Sequence, residues 1–262
     1  MQSPIVLVCL GGYDLEMLTI GALLRPLPNV ELCDHHLAWG ARASAYRDEL
    51  WTASQHQRPV VLIELQDDLP AELPRASFVW IDHHGDRAGC GRPTALEQVF
   101  ATFSFPASAW TRDLALVAAN DRGHIAAMLE LNATLEELQD IRRRDRAAQG
   151  ITPEEEAQGR VACLRAKPVF GGRLTLVELP HTRAATVTDS LDDRLGGPGY
   201  QNLLILAPTQ TMFFGAGDCI EALKRAHPAS WFGGELPLRG YWGCAERLDP
   251  AQLINSLEPY LS

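Results

Sequence analysis

The 262 residues of the chain exceed one ordinary domain of ~100–200, so two domains are expected. A composition of 46% hydrophobic and 21% charged residues with 21 glycines is that of a globular protein, and it excludes the disordered, collagen-like and coiled-coil classes. The formal charge of −10, from 23 basic against 33 acidic residues, argues against a protein that grips long nucleic acid by neutralising its phosphates. No apolar run approaches the ~20 residues of a membrane helix. The first run, Ile5 to Leu10, stops at Gly11-Gly12 and lacks the flanks of a secretory signal, so a cytoplasmic protein without a membrane partner is expected.

In chain order, Ile5–Leu10, Val30–Cys33, Pro59–Leu65 and Ser77–Ile81 read as short buried strands. Between the first two, Leu15, Met17, Leu18, Ile20 and Leu24 give a helical apolar face that ends at Pro26. Strands alternating with helices point to a parallel α/β sheet. Leu114–Ala119 fits either a fifth strand or a helix. Leu131, Leu135, Leu138 and Ile141 form a helix stripe, with Thr134 and Glu137 as a capping box. Arg142-Arg143-Arg144 reads as a solvated helix face, or as a complement to a helix C-terminus. Thr152-Pro153-Glu154-Glu155 starts another helix, with Thr as cap and Pro at the first position. The rest is a smaller α/β unit: strands over Arg173–Leu179, Asn202–Ala207 and Thr211–Phe214, a loop at Gly196-Gly197-Pro198-Gly199, and helices over Cys219–His227 and from Asp249-Pro250. The expected organisation is a domain over 1–145, a helical linker over 146–166 and a second domain over 167–262.

The six cysteines have no paired close spacing, so neither a zinc ribbon nor a disulfide framework follows, and reduced, mostly buried thiols are expected. Cys33 reads as the last residue of its strand rather than a ligand. The chemistry gathers in Asp14 and Glu16, Asp34-His35-His36, Glu64, Asp82-His83-His84 and Asp121. All but Asp121 follow a predicted strand, and in a parallel sheet the carboxyl ends of the strands share one edge, where ligands bind. Carboxylates mixed with imidazoles suit Mn²⁺-like ions better than Zn²⁺.

Phe78-Val79-Trp80-Ile81-Asp82-His83-His84 resembles the signature of the DHH phosphoesterase superfamily, which includes RecJ-type exonucleases, oligoribonucleases and cyclic-dinucleotide phosphodiesterases. The resemblance implies four metal-binding motifs. In the first, His-x-x-x-Asp-x-Asp, Leu10 takes the His position, Asp14 matches the first Asp and Glu16 replaces the second. Glu64 stands for the Asp of the second motif, Asp82-His83-His84 is the third, and Asp121 matches the fourth. A C-terminal Gly-Gly-Gly-His-type loop that contacts substrate phosphate is echoed in Phe232-Gly233-Gly234-Glu235-Leu236, where Glu235 and Leu236 depart from it. Each Asp-to-Glu change keeps the charge and extends the carboxylate by about 1.5 Å.

The fold implied is a parallel-sheet DHH domain joined by helices to a smaller α/β C-terminal domain. The activity implied is hydrolysis of a small phosphorylated substrate by metal-activated water: a short oligonucleotide, a cyclic dinucleotide or a nucleotide phosphate. Asp14, Glu16, Glu64, Asp82, His83, His84 and Asp121 would hold one or two Mn²⁺, with Mg²⁺ as the alternative. Arg239, Gly233, Gly234, Arg122 and His124 would meet the substrate in an interdomain cleft, although Arg239 equally suits a surface ion pair. The extra Asp34-His35-His36 offers a replacement for the imidazole lost at Leu10, through His35 or His36; an exposed polar loop is the other reading. A non-catalytic descendant that binds a ligand or partner is the competing function.

Overall fold

The computed structural model describes residues 5–38, 40–83, 93–234 and 236–261. The chain divides into two compact units, Met1–Gln149 and Gly150–Ser262.

The first unit is built on four parallel strands, β1 (Val6–Cys9), β2 (Val30–Cys33), β3 (Val60–Ile63) and β4 (Phe78–Ile81), in the spatial order β2-β1-β3-β4. The two central strands are buried on both faces, which is why they read as continuous aliphatic runs. The edge strands β2 and β4 are only half-buried. On one face Leu7, Cys9, Val60 and Leu62 pack with Tyr46 and Leu50 under helix α2 (Arg47–Gln55). The alternate residues Val8, Val61 and Ile63 are buried on the other face. Helices α1 (Leu15–Leu24), α3 (Ala95–Thr102), α4 (Arg112–Glu130) and α5 (Leu135–Ala148) pack on one another.

The ambiguous Leu114–Ala119 is helical, lying within α4. This helix is broken at Gly123 and His124, whose backbone leaves the helical region, so Asp121 stands at the end of its first half. Leu131 caps α4 instead of joining the next stripe. The capping box of Thr134 and Glu137, read from the sequence as lying within that stripe, opens α5. One expectation is corrected there. Of Arg142-Arg143-Arg144, only Arg143 and Arg144 pair with exposed or half-exposed carboxylates. Arg142 is 4% exposed and sits on the inner face of α5.

The second unit begins with α6 (Pro153–Leu164), capped by the predicted box of Thr152 and Glu155. Read from the sequence as part of a linker, α6 packs on α7 (Ala185–Leu191) inside this unit. A Cβ at Gly159 would lie 2.4 Å from the Thr186 hydroxyl, so glycine is what allows the two helices to approach. Six strands follow the order β5-β6-β7-β8-β10-β9: β5 (Lys167–Val169), β6 (Leu174–Glu178), β7 (Leu203–Leu206), β8 (Thr211–Ala216), β9 (Trp231–Gly233) and β10 (Arg239–Cys244). Only β6 and β7 pair in parallel. Leu204, Phe213 and Trp242 face α8 (Gly217–Ala226) and α9 (Pro250–Leu261) through Ile220 and Leu257, and Val177, Leu203 and Ile205 pack with Val187 of α7. The three-residue edge strands β5 and β9 carry no periodic signal in the sequence. Among the described residues no helix is long and apolar enough to cross a membrane.

Candidate metal centre

Four side chains of the first unit converge. Glu16, Glu64, His83 and Asp121 each offer one ligand atom, and these atoms all lie within 4.8 Å of one another. Local chain geometry explains how each arrives. Glu16 lies in the first turn of α1, where a carboxylate is favoured by the helix dipole. It is 2% exposed, and its Oε1 accepts from the Leu96 amide at 3.0 Å in the first turn of α3. Glu64 follows β3 with φ at +50°, a left-handed conformation that costs a side-chain-bearing residue about 1–2 kcal/mol. Its amide donates to the Ile81 carbonyl at 2.8 Å, which holds the strand end while the chain turns. His83 follows β4 and is nearly buried. Its Nε2 faces Glu64 Oε1 at 3.2 Å, Glu16 Oε2 at 3.9 Å and the adjoining Asp121 Oδ2. Gly11 makes the convergence of β1 and β3 sterically feasible: a Cβ there would lie 2.5 Å from the Glu64 carbonyl oxygen and 2.6 Å from that of Ile63.

The electrostatics are those of a site made for a cation. Burial raises the Glu16 carboxyl well above the usual range, and the Asp121 and Glu64 charges raise it further, against the opposing bonds from Thr94 and Leu96. Glu16 Oε2 and Asp121 Oδ2 are buried without a hydrogen bond among the described residues. Three carboxylates against one imidazole leave net negative charge in a poorly solvated place, and a divalent ion would balance it. The donor set therefore fits a hard or intermediate ion such as Mn²⁺ or Mg²⁺ better than a thiolate-seeking one.

Asp14 stands beside this group without joining it. It N-caps α1, its Oδ1 accepting from the Met17 amide at 2.8 Å. Burial pushes its pKa up to about 7; the Met17 bond lowers it, and the Asp121 and Glu64 charges raise it. Asp14, Glu64 and Asp82 line a small cavity of about 80 Å³ with Gly12 and Gln66. The Asp82 carbonyl accepts from Gln98 Nε2 at 3.2 Å. His84 lies outside the described residues, as does Glu235.

The structure does not bring His35 or His36 into the group. The His35 ring stacks on Tyr46, with Nε2 at 3.0 Å from Glu49 and Nδ1 at 3.2 Å from the Ala45 carbonyl. His36 is exposed, beside Asp34 and edge-on to Tyr13. Tyr46 ties this loop to β1: it donates to the Leu10 carbonyl at 2.6 Å and accepts from the His35 amide at 3.1 Å. The Leu10 side chain itself is 2% exposed and belongs to the apolar core.

The remaining sequence-selected residues are divided between the two units. Arg122 pairs with Glu97 at 2.5 Å, and His124 is exposed at the break in α4. In the second unit, Arg239 Nη2 donates to the Gln201 carbonyl at 2.7 Å. Gly233 lies beneath the Tyr241 ring, and Gly234 has φ at +103° and approaches Gly240. Sequence reasoning missed the residues that brace the centre. Asp145 Oδ1 accepts from the Leu15 amide at 3.3 Å, and Arg142 Nη1 donates to Asp145 Oδ2 at 2.8 Å and Asn120 Oδ1 at 2.9 Å. The i, i+3 spacing of Arg142 and Asp145 was the available signal.

No family model matches the sequence, and no curated protein matches it significantly. Among solved structures, the DHH domain of a member of the s1p family of ribosomal proteins is similar over 98% of this chain and 86% of its own, with a TM-score of 0.54 at 13% identity. The chain shares the fold of that DHH domain. An exonuclease RecJ bound to manganese is similar over 98% of this chain and 90% of its own, at 14% identity and a TM-score of 0.47. A pGpG-specific phosphodiesterase from Vibrio cholerae is similar over 99% and 98%, at 12% identity and a TM-score of 0.43. Within this DHH fold, His83 of the Asp-His-His segment enters the four-residue group, whereas Asp82 lines the adjoining cavity.

Proposed function

We propose that the chain is a divalent-metal-dependent phosphoesterase of the cytoplasm, acting on a small phosphorylated substrate such as a short oligonucleotide, a cyclic dinucleotide or a nucleotide phosphate. The observation that carries this reading is the convergence of Glu16, Glu64, His83 and Asp121. These four would hold a Mn²⁺ or Mg²⁺ ion, with Asp14 and Asp82 flanking it. A bound ion of this kind lowers the pKa of water and offsets charge on phosphoryl oxygens. The chain's own residues have separable tasks. Glu64 and Asp121 face the same His83 nitrogen, Nε2, and would share the ion with it. Glu16 joins the same group while holding the start of α3. Asp14, with Oδ1 committed to the Met17 amide, has Oδ2 left to flank the ion or a bound water.

The core position of Leu10 favours one competing reading, a descendant that binds ligand without catalysis, because among the described residues His83 is the one imidazole in the group. Calorimetric titration of the EDTA-treated chain with Mn²⁺, followed by assay on bis(p-nitrophenyl) phosphate and on a linear dinucleotide, decides the matter. Saturable Mn²⁺ uptake and Mn²⁺-dependent hydrolysis are expected, both lost in His83→Ala. Uptake without hydrolysis of any phosphodiester would establish the binding protein, and no uptake would remove the metal centre.

A further inference from the structure

Helix α5 contributes no side chain to the four-residue group, yet it carries a buried charged pair whose contacts end on both helices that do. Arg142 and Asp145 are each under 5% exposed, as Asn120 is at 5%. An arginine is costly to bury, and a structural pair of this kind is commonly replaceable by apolar residues of similar volume. Here the bonds go to particular places. Asp145 Oδ1 takes the amide of Leu15, the first residue of α1 and the neighbour of both Asp14 and Glu16. Asp145 Oδ2 takes Arg142 Nη1 and Gln149 Nε2. The same Arg142 nitrogen donates to Asn120 Oδ1, on the residue preceding Asp121 in α4. One guanidinium nitrogen therefore joins Asp145, which holds the N-terminus of α1, to the last helical turn before the break in α4.

We infer that Arg142 is a positioning residue for the metal centre: through Asp145 and Asn120 it fixes the separation between the Glu16 and Asp121 carboxylates. The turn carrying Glu16 begins at a cap, and the segment carrying Asp121 runs into non-helical backbone at Gly123 and His124. Partners that orient metal ligands without touching the ion typically change affinity 10–100-fold when removed. The inference rests on the metal-centre reading given above.

The test uses the full chain, stripped with EDTA and titrated with Mn²⁺ by calorimetry and by the electron paramagnetic resonance signal of free Mn²⁺. Melting of the metal-free protein is recorded alongside. Asn120→Ala leaves the Arg142–Asp145 pair in place and cuts only the link to α4; about 10-fold weaker Mn²⁺ binding is expected. Arg142→Met removes the bond to Asn120 and also strips Asp145, which holds α1, of its buried cation, so a loss nearer 100-fold is expected. Arg142→Lys recovers part of it, since an ammonium still reaches Asp145 but lacks the planar fork. Arg143→Met, one residue along and paired with exposed Asp140, leaves Mn²⁺ binding unchanged. Should Arg142→Met fail to fold, Asn120→Ala carries the test. Variants that melt lower yet bind Mn²⁺ as the wild type does would overturn the positioning role while leaving the metal centre standing. A wild-type chain that takes up no Mn²⁺ would overturn both.

Discussion

Asp14 gives the metal-free protein an unusual dependence on pH. Its carboxyl loses a proton near pH 3.8 when solvated and near 7 in the folded chain, where burial disfavours the charge. Between those values the native state holds a proton that the unfolded state has released, so stability falls as pH rises. The full difference is worth about 4 kcal/mol, of which about 2.5 kcal/mol lies between about pH 5 and pH 8. Glu16, raised by the same burial, acts in the same direction. Surface carboxylates such as Glu137, held at about 2 by Arg112 and the Thr134 amide, have finished titrating below this window. Urea unfolding in EDTA across the window measures the fall, and Asp14→Asn isolates its source. Asparagine keeps the acceptor for the Met17 amide and remains a good N-cap, but does not ionise. The expected result is a marked loss of stability toward pH 8 in the wild type and a shallower one in Asp14→Asn. Added Mn²⁺ should reverse the trend, since a cation favours the ionised site and native-state binding raises stability. Stability in EDTA that rises between pH 5 and pH 8, or wild-type and variant curves that run parallel, would refute the reasoning.

Two further outcomes follow from the backbone around the centre. Gly11→Ala places a methyl group against the carbonyl oxygens of Ile63 and Glu64, so chemical denaturation should show a loss of about 1–3 kcal/mol together with weaker Mn²⁺ binding. Glu64→Gly removes a ligand and relieves a positive φ at once; the metal-free variant should unfold about 1 kcal/mol later than the wild type while its Mn²⁺ uptake vanishes.

The parts of the molecule governed by local rules were open to the sequence. Periodicity and turn chemistry located the four strands of the first sheet, and the capping box at Thr152 marked a helix start to the residue. Asp, Glu and His placed after strands led to Glu64 and His83, because parallel strands end on a common edge. What stayed closed was decided by three-dimensional neighbours. His35 and His36 satisfy the same pattern as His83, but a stacked tyrosine and Glu49 take up the His35 ring. Arg142 stands in a run of three arginines that differ only in the direction their helix turns them, so composition gave no reason to single out the buried one. Asp121 was matched by motif alone, since an apolar run of its length suits strand and helix equally.

Glu16 spends its two oxygens on different clients: Oε1 on the Leu96 amide and Oε2 toward His83. An aspartate, the residue that the family pattern has at this place, is one methylene shorter. Restoring it would withdraw an acceptor from the start of α3 or a carboxylate from the four-residue group, since a side chain shortened by about 1.5 Å cannot keep both. An aspartate at position 16 would therefore serve either α3 or the four-residue group, not the two together. The length of this one side chain thus couples the seating of α3 to the assembly of the centre, and a change at either end is felt at the other.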